Sequence, residues 1–75
     1  MINGYTNGDL VKALRATHQL GALNVDEETI VVNYHNGARE VLTPSQAYCL
    51  LRNYEMLKEF GMTFRQFYTF DKVKI

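Results

Sequence analysis

The sequence predicts a single α+β domain: helix, β-hairpin, long central helix, short C-terminal helix (α-β-β-α-α), with the hairpin packed on the helices. Three observations carry that reading. The stretch TPSQAYCLLRNYEMLKEFG, Thr43 to Gly61, has a helical start and stop and is apolar over more than half its circumference. TIVVNYHNGAREVL, Thr29 to Leu42, is two β-rich runs around Asn36-Gly37. Thr-led capping boxes also stand at Thr6 and Thr63, at the expected starts of the outer helices. The 75 residues are 47% hydrophobic and 12% aromatic, enough for one ordinary core.

Met1 to Gly8 is polar and rich in Gly and Asn, expected to be loose at its first residues, with Ile2 and Tyr5 able to dock on the core. Thr6 opens TNGD, whose Asp9 completes a capping box and suits a helix N-terminus electrostatically. The first helix is expected from about Asp9 to Leu20, with Gly21 as its stop. Leu10, Ala13, Leu14, Thr17 and Leu20 would share one face, Lys12, Arg15 and Gln19 the opposite one, and Val11 and His18 a flank. Ala22 to Thr29, with Asp26, Glu27 and Glu28, reads as a solvated connection.

Asn-Gly is the dipeptide of a two-residue type I′ turn. Centred on Asn36-Gly37, that turn pairs His35 with Ala38, Tyr34 with Arg39, Val32 with Val41 and Val31 with Leu42. Ile30, Val32, Tyr34, Arg39 and Val41 would then form the core face. Val31, Asn33, His35, Glu40 and Leu42 would form the other. A lone hairpin is barely stable in water, so this one must lie on helices.

In the central helix Thr43 is the N-cap, Pro44 takes the first helical position, Gln46 closes a capping box and Gly61 is the stop. At about 100° per residue, Ala47, Leu50, Leu51, Tyr54 and Leu57 share a face. Cys49, Met56 and Phe60 form a second apolar stripe beside it, so the helix is expected to be covered from two sides. Thr63 and Gln66 open a short helix from Phe64 to about Phe70. The alternating tail from Asp71 to Ile75 either joins the hairpin's edge or frays.

Lys plus Arg number 8 and Asp plus Glu number 8, a balance that argues against broad electrostatic capture of nucleic acid or anionic membrane. One cysteine permits no internal disulfide and fits a reducing compartment. MINGYTNGDL has no basic stretch followed by an apolar run, and no run approaches a membrane span of ~18 residues. The expectation is a soluble cytoplasmic protein, complete from Met1. His18, His35 and Cys49, the soft ligand types, lack metal-site spacing, and Cys49 reads as a small core residue. The carboxylates fall on expected solvent faces or turns, where burial would not tune them for acid catalysis. No Gly-rich loop links a strand to a helix N-terminus. A non-enzymatic protein without cofactor or metal is expected.

MLKEFGMTFRQFYTF, residues 56–70, resembles the core of a helix-turn-helix motif: Phe60, the turn residue Gly61, Met62, the cap Thr63, then apolar Phe67 and Phe70. The resemblance implies a DNA-binding transcription regulator with Phe64, Arg65, Gln66, Tyr68 and Thr69 on the outward side of the reading helix. Arg and Gln suit base edges. Leu57 stands where the motif usually has a small residue, and the first helix is unusually long for it. Phe67 and Phe70 are expected in the core, leaving Arg65, Gln66, Tyr68 and Thr69 as the exposed set.

In size and texture the chain is also similar to small phage proteins that bind host machinery, above all those that dock on host RNA polymerase and redirect transcription. That resemblance implies a regulator that occupies a protein surface, polymerase being the first partner and a CRISPR nuclease complex a further one. The contact residues expected are Lys12 and Arg15 on the first helix, His35, Asn36, Arg39 and Glu40 at the hairpin tip, and Tyr48 and Arg52 on the central helix. Tyr5, Tyr48 and Tyr68 are aromatic anchors of the kind enriched at interface hot spots.

Overall fold

Three threonines set the frame of the molecule. The computed structural model describes residues 4–17 and 20–68. Within them the order is α1 (Asn7–Ala16), β1 (Leu20–Asn24), β2 (Ile30–Tyr34), β3 (Arg39–Leu42) and α2 (Pro44–Phe60), then a helical turn over 64–68. The Thr6–Asp9 and Thr43–Gln46 capping boxes both close reciprocally. At the C-terminal turn, Gln66 accepts the Thr63 N–H at 3.0 Å and donates its own N–H to the Thr63 hydroxyl at 3.4 Å. Gly61 ends α2 in the left-handed region at φ 66°, where a Cβ would be penalised. Ile2, His18, Gln19, Thr69, Phe70 and the tail from Asp71 to Ile75 lie outside the described residues.

The class is α+β as expected, but the sheet has three antiparallel strands in the order β1-β2-β3, so the sequence of elements is α-β-β-β-α-α. The first helix stops at Ala16, short of the expected Leu20. Thr17 turns extended, and its hydroxyl donates to the Leu14 carbonyl at 2.6 Å, the side-chain competition that makes Thr a poor helix interior residue. Leu20–Asn24 then pairs with β2, Leu20 opposite Tyr34 and Asn24 opposite Ile30. Gly21 is a strand residue here, against the expected helix stop. The acidic connection shrinks to Val25–Thr29 and is exposed at 25–28. One Asp26 carboxylate oxygen accepts the N–H groups of Glu28 (2.7 Å) and Thr29 (2.9 Å), which holds the Asp26 carboxyl below its ordinary value.

The hairpin register differs from the expected one by one residue. Val31 stands opposite Val41, Val32 opposite Glu40 and Asn33 opposite Arg39. Tyr34 N–H donates to the Ala38 carbonyl at 2.8 Å, leaving a three-residue loop of His35, Asn36 and Gly37 in place of the two-residue turn. A one-residue slip changes which face each β3 side chain occupies. Leu42 and Glu40 therefore point to the core with Ile30, Val32 and Tyr34, while Arg39 and Val41 face outward; Leu42 is 1% exposed and Val41 49%. Gly37 keeps the positive φ expected of it, at 95°, with open space where a Cβ would sit. Gly37→Val is expected to cost about 1–3 kcal/mol from backbone strain alone, read as a lower urea midpoint with an unchanged slope.

The helices cover the inner face of the sheet. Leu10, Leu14, Ile30, Val32, Leu42, Leu50 and Leu57 are the largest fully buried side chains. α2 buries Ala47, Leu50, Tyr54 and Leu57, and leaves Leu51 half-buried, matching the expected face. Its second stripe is uncovered: Cys49, Met56 and Phe60 are exposed, so the helix is covered from one side, against the expectation of two. Cys49 is correspondingly no core residue, because it lies about 100° from Leu50 toward the open side.

Candidate protein-binding surface

The residues expected to contact a partner do not share one surface. On one face, Tyr5 packs against Tyr48 with ring centroids 5.6 Å apart and planes tilted by 53°. Arg52, one turn further along α2, sets its guanidinium 5.8 Å from the Tyr48 ring centroid and donates to the Tyr48 hydroxyl at 3.4 Å. An aromatic ring's negative face attracts a guanidinium at this separation, and the (i, i+4) spacing places the two side chains together. The contact holds Tyr48 half-buried with Arg52 exposed. Tyr5 also borders an open groove of about 410 Å³ along α1, lined by Asp9, Lys12, Ala13 and Ala16. Lys12, Tyr5, Tyr48 and Arg52 thus form an aromatic–basic face built from α1, the residues before it and α2.

Arg15 belongs elsewhere. Its Nε donates to the Ala22 carbonyl of β1 at 2.8 Å, which ties the guanidinium to the sheet. His35 and Asn36 border a small cavity of about 30 Å³ between the hairpin tip and the end of α2, beside Tyr34, Leu57 and Lys58. That is room for about one or two waters. Arg39 is exposed on the outer side of the sheet, opposite Asn33.

Glu40 overturns the expectation of an exposed hairpin-tip residue and of solvent-facing carboxylates. It is 8% exposed, and its oxygens take three hydrogens from the surrounding chain. Oε1 accepts the Tyr34 hydroxyl and the Phe64 N–H at 3.0 Å; Oε2 accepts the Arg65 N–H at 2.9 Å. Phe64 N–H also lies 3.0 Å from the Tyr34 hydroxyl oxygen. A carboxylate at the first N–H groups of a helical turn satisfies donors that have no partner within the turn. Phe64 follows inward and is 6% exposed, although the helix-turn-helix resemblance placed it outward. Phe67 packs on the core half-buried, as expected.

The residues expected to read DNA are arranged by the same clamp. Arg65 is exposed, but its Nη2 donates back to the Val41 carbonyl at 3.1 Å. The Gln66 side-chain oxygen is engaged by Thr63. Tyr68 is 51% exposed and stacks on Phe64 with centroids 6.1 Å apart. Thr69 lies outside the described residues.

Burial, reinforced by the hydrogen bond to Glu40, pushes the Tyr34 phenol well above its ordinary 10.0. Burial also raises Tyr54, with the Glu55 charge adding to it. A phenol whose proton is held more tightly in the folded state gives stability that is complete below the unfolded value and is lost as pH rises above it. Urea midpoints are therefore expected to stay level from neutral pH to about pH 10 and then fall. Tyr34→Phe is expected to reduce that alkaline fall while leaving the Tyr54 share of it.

Among the described residues no helix is long and apolar enough to cross a membrane, and no three His, Cys, Asp or Glu gather as a metal site. Compared with protein-family models, curated protein sequences and solved structures, the chain matches none. Sequence reasoning did not find the Glu40 clamp or the Tyr5–Tyr48 contact, since both join residues distant in the chain. The (i, i+4) spacing of Tyr48 and Arg52 was the one local signal of the site.

Proposed function

We propose that this chain is a non-enzymatic regulator that binds a partner protein through the face formed by Lys12, Tyr5, Tyr48 and Arg52. The observation that carries the reading is the braced Tyr5–Tyr48–Arg52 cluster beside an open groove. Tyr and Arg are enriched at interface hot spots. Tyr brings a large contact area with few torsions to freeze, and the ring contact that pre-sets the Arg52 rotamer lowers the larger ordering cost of that side chain. The cations at Lys12 and Arg52 favour a partner segment that presents carboxylates beside apolar side chains. The resemblance to small phage proteins that bind host RNA polymerase makes the polymerase the first partner to test.

The helix-turn-helix reading has less support. In such readers the N-terminal residues of the second helix meet base edges. Here the Glu40 carboxylate occupies that end, a negative charge where phosphates would have to approach. The guanidinium of Arg65 and the amide of Gln66 are already engaged.

Capture of proteins from a bacterial lysate, followed by mass spectrometry, is the test. The wild-type chain is expected to retain a defined protein complex, with polymerase subunits or a nuclease complex both supporting the reading. Arg52→Ala and Tyr48→Ala are each expected to weaken its retention about 30-fold or more, the scale of a hot-spot loss. Retention unchanged by both variants would overturn the assigned face. In parallel, sub-micromolar binding to random duplex DNA at about 0.15 M salt, abolished by Arg65→Ala, would replace the protein-binding reading with the DNA-binding one.

A further inference from the structure

The uncovered stripe of α2 has a regular spacing. Cys49, Asn53, Met56 and Phe60 recur at steps of four, three and four residues, the alternation that keeps one seam of a helix facing a neighbouring helix. Met56 is 46% exposed and Phe60 63%. Asn53 turns its amide back to the Cys49 carbonyl at 2.8 Å, so the polar member of the seam is hydrogen-bonded within its own helix. One border of the seam is closed by the buried Leu50 and Leu57. The other carries Arg52 and Glu59, both exposed and seven residues apart.

We infer that this seam docks against the same seam of a second copy, with the two α2 helices antiparallel about a two-fold axis near residues 54 and 55. In that arrangement Cys49 meets Phe60 of the second copy and Asn53 meets its Met56. A two-fold contact repeats every pairing, so both layers occur twice. The same axis brings Arg52 of each copy to Glu59 of the other, giving two ion pairs along the open border. A parallel arrangement lacks this complementarity, because the borders it brings together include the buried Leu50 and Leu57. Charge thus selects both the occupant and its direction. A seam from Cys49 to Phe60 is short of two heptads and stands at the lower end of specific interfaces, about 1,200 Å² in total, so the dimer forms in a concentration-dependent way.

Sedimentation equilibrium of the full chain is the test. The mass is expected to rise from the 8.7 kDa monomer toward twice that value between about 1 μM and about 1 mM protein. Phe60→Glu, at an exposed position, is expected to stay monomeric throughout with an unchanged circular dichroism spectrum. Arg52→Glu and Glu59→Arg are each expected to weaken association about tenfold. The double variant, with both charges exchanged, is expected to recover it. A monomer at all concentrations would overturn the inference, as would a double variant no better than the single ones. Mild oxidation gives a second readout. The two Cys49 residues stand about 16 Å apart along antiparallel axes, eleven residues at the helical rise, too far for a disulfide. A disulfide-linked dimer forming at the rate of association would therefore overturn the antiparallel arrangement.

Discussion

Leu50→Ala is expected to lower the unfolding free energy by about 3–5 kcal/mol, the upper part of the range for emptying a buried leucine site. Leu50 is fully buried in the core shared by the helices and the sheet. That core draws on α1, α2 and the sheet, so collapse around the lost methyl groups would need packed elements to move together. Total stability for a domain of 75 residues is on the order of 5 kcal/mol. The variant is therefore expected to be largely unfolded at room temperature, with loss of near-ultraviolet circular dichroism and of the cooperative melt. Leu57→Ala, at 1% exposure on the same face, is expected to behave similarly. A melting temperature within a degree or two of wild type in either variant would show that this face is not the core.

Glu40→Ala is expected to be the next most damaging change, at about 2–4 kcal/mol. Truncation removes the acceptor for the Tyr34 hydroxyl and for the N–H groups of Phe64 and Arg65 in one step. A buried donor left without a partner costs about 1–3 kcal/mol, and a bond to a charged acceptor is stronger than one between neutral groups. The loss is expected to be local first. Amide exchange at residues 64–68 should quicken more than exchange in β2, because the clamp is what joins that turn to the sheet. Glu40→Gln keeps one oxygen acceptor but turns an NH₂ donor toward the same cluster of donors, so it is expected to recover less than half of the loss. Exchange rising equally in the sheet and the turn would mean that Glu40 supports the whole core and not the turn in particular.

The parts of the fold that were legible in the sequence are those written within a few residues. All three threonine caps have their partner three positions on, and each forms as expected. The inner face of α2 follows from helical period alone. β1 was not legible, because Leu-Gly-Ala-Leu-Asn has little β propensity and its leucines continued the helical period of α1. Its strand conformation comes from pairing with β2. The hairpin register failed because Asn-Gly serves a three-residue loop with a positive-φ glycine as well as a two-residue turn. That single residue moved Glu40 from the outer face to the core, and with it the clamp that decides how the C-terminal turn is held. Within the candidate surface, Tyr48 and Arg52 could be paired from spacing. The Tyr5 contact brings together residues 43 positions apart and has no local signature.

The bond from Arg15 to the Ala22 carbonyl has a consequence for how many of these molecules can share a solution. β1 is the outermost strand on its side of the sheet. A bare strand margin is a template on which another chain can lay down a further strand, and then another. Arg15 reaches from the last turn of α1 and occupies a carbonyl in the middle of that margin with a hydrated cation. An incoming strand would have to displace the guanidinium before its ladder could grow past Ala22. One side chain thus acts as a stopper on this margin of the sheet.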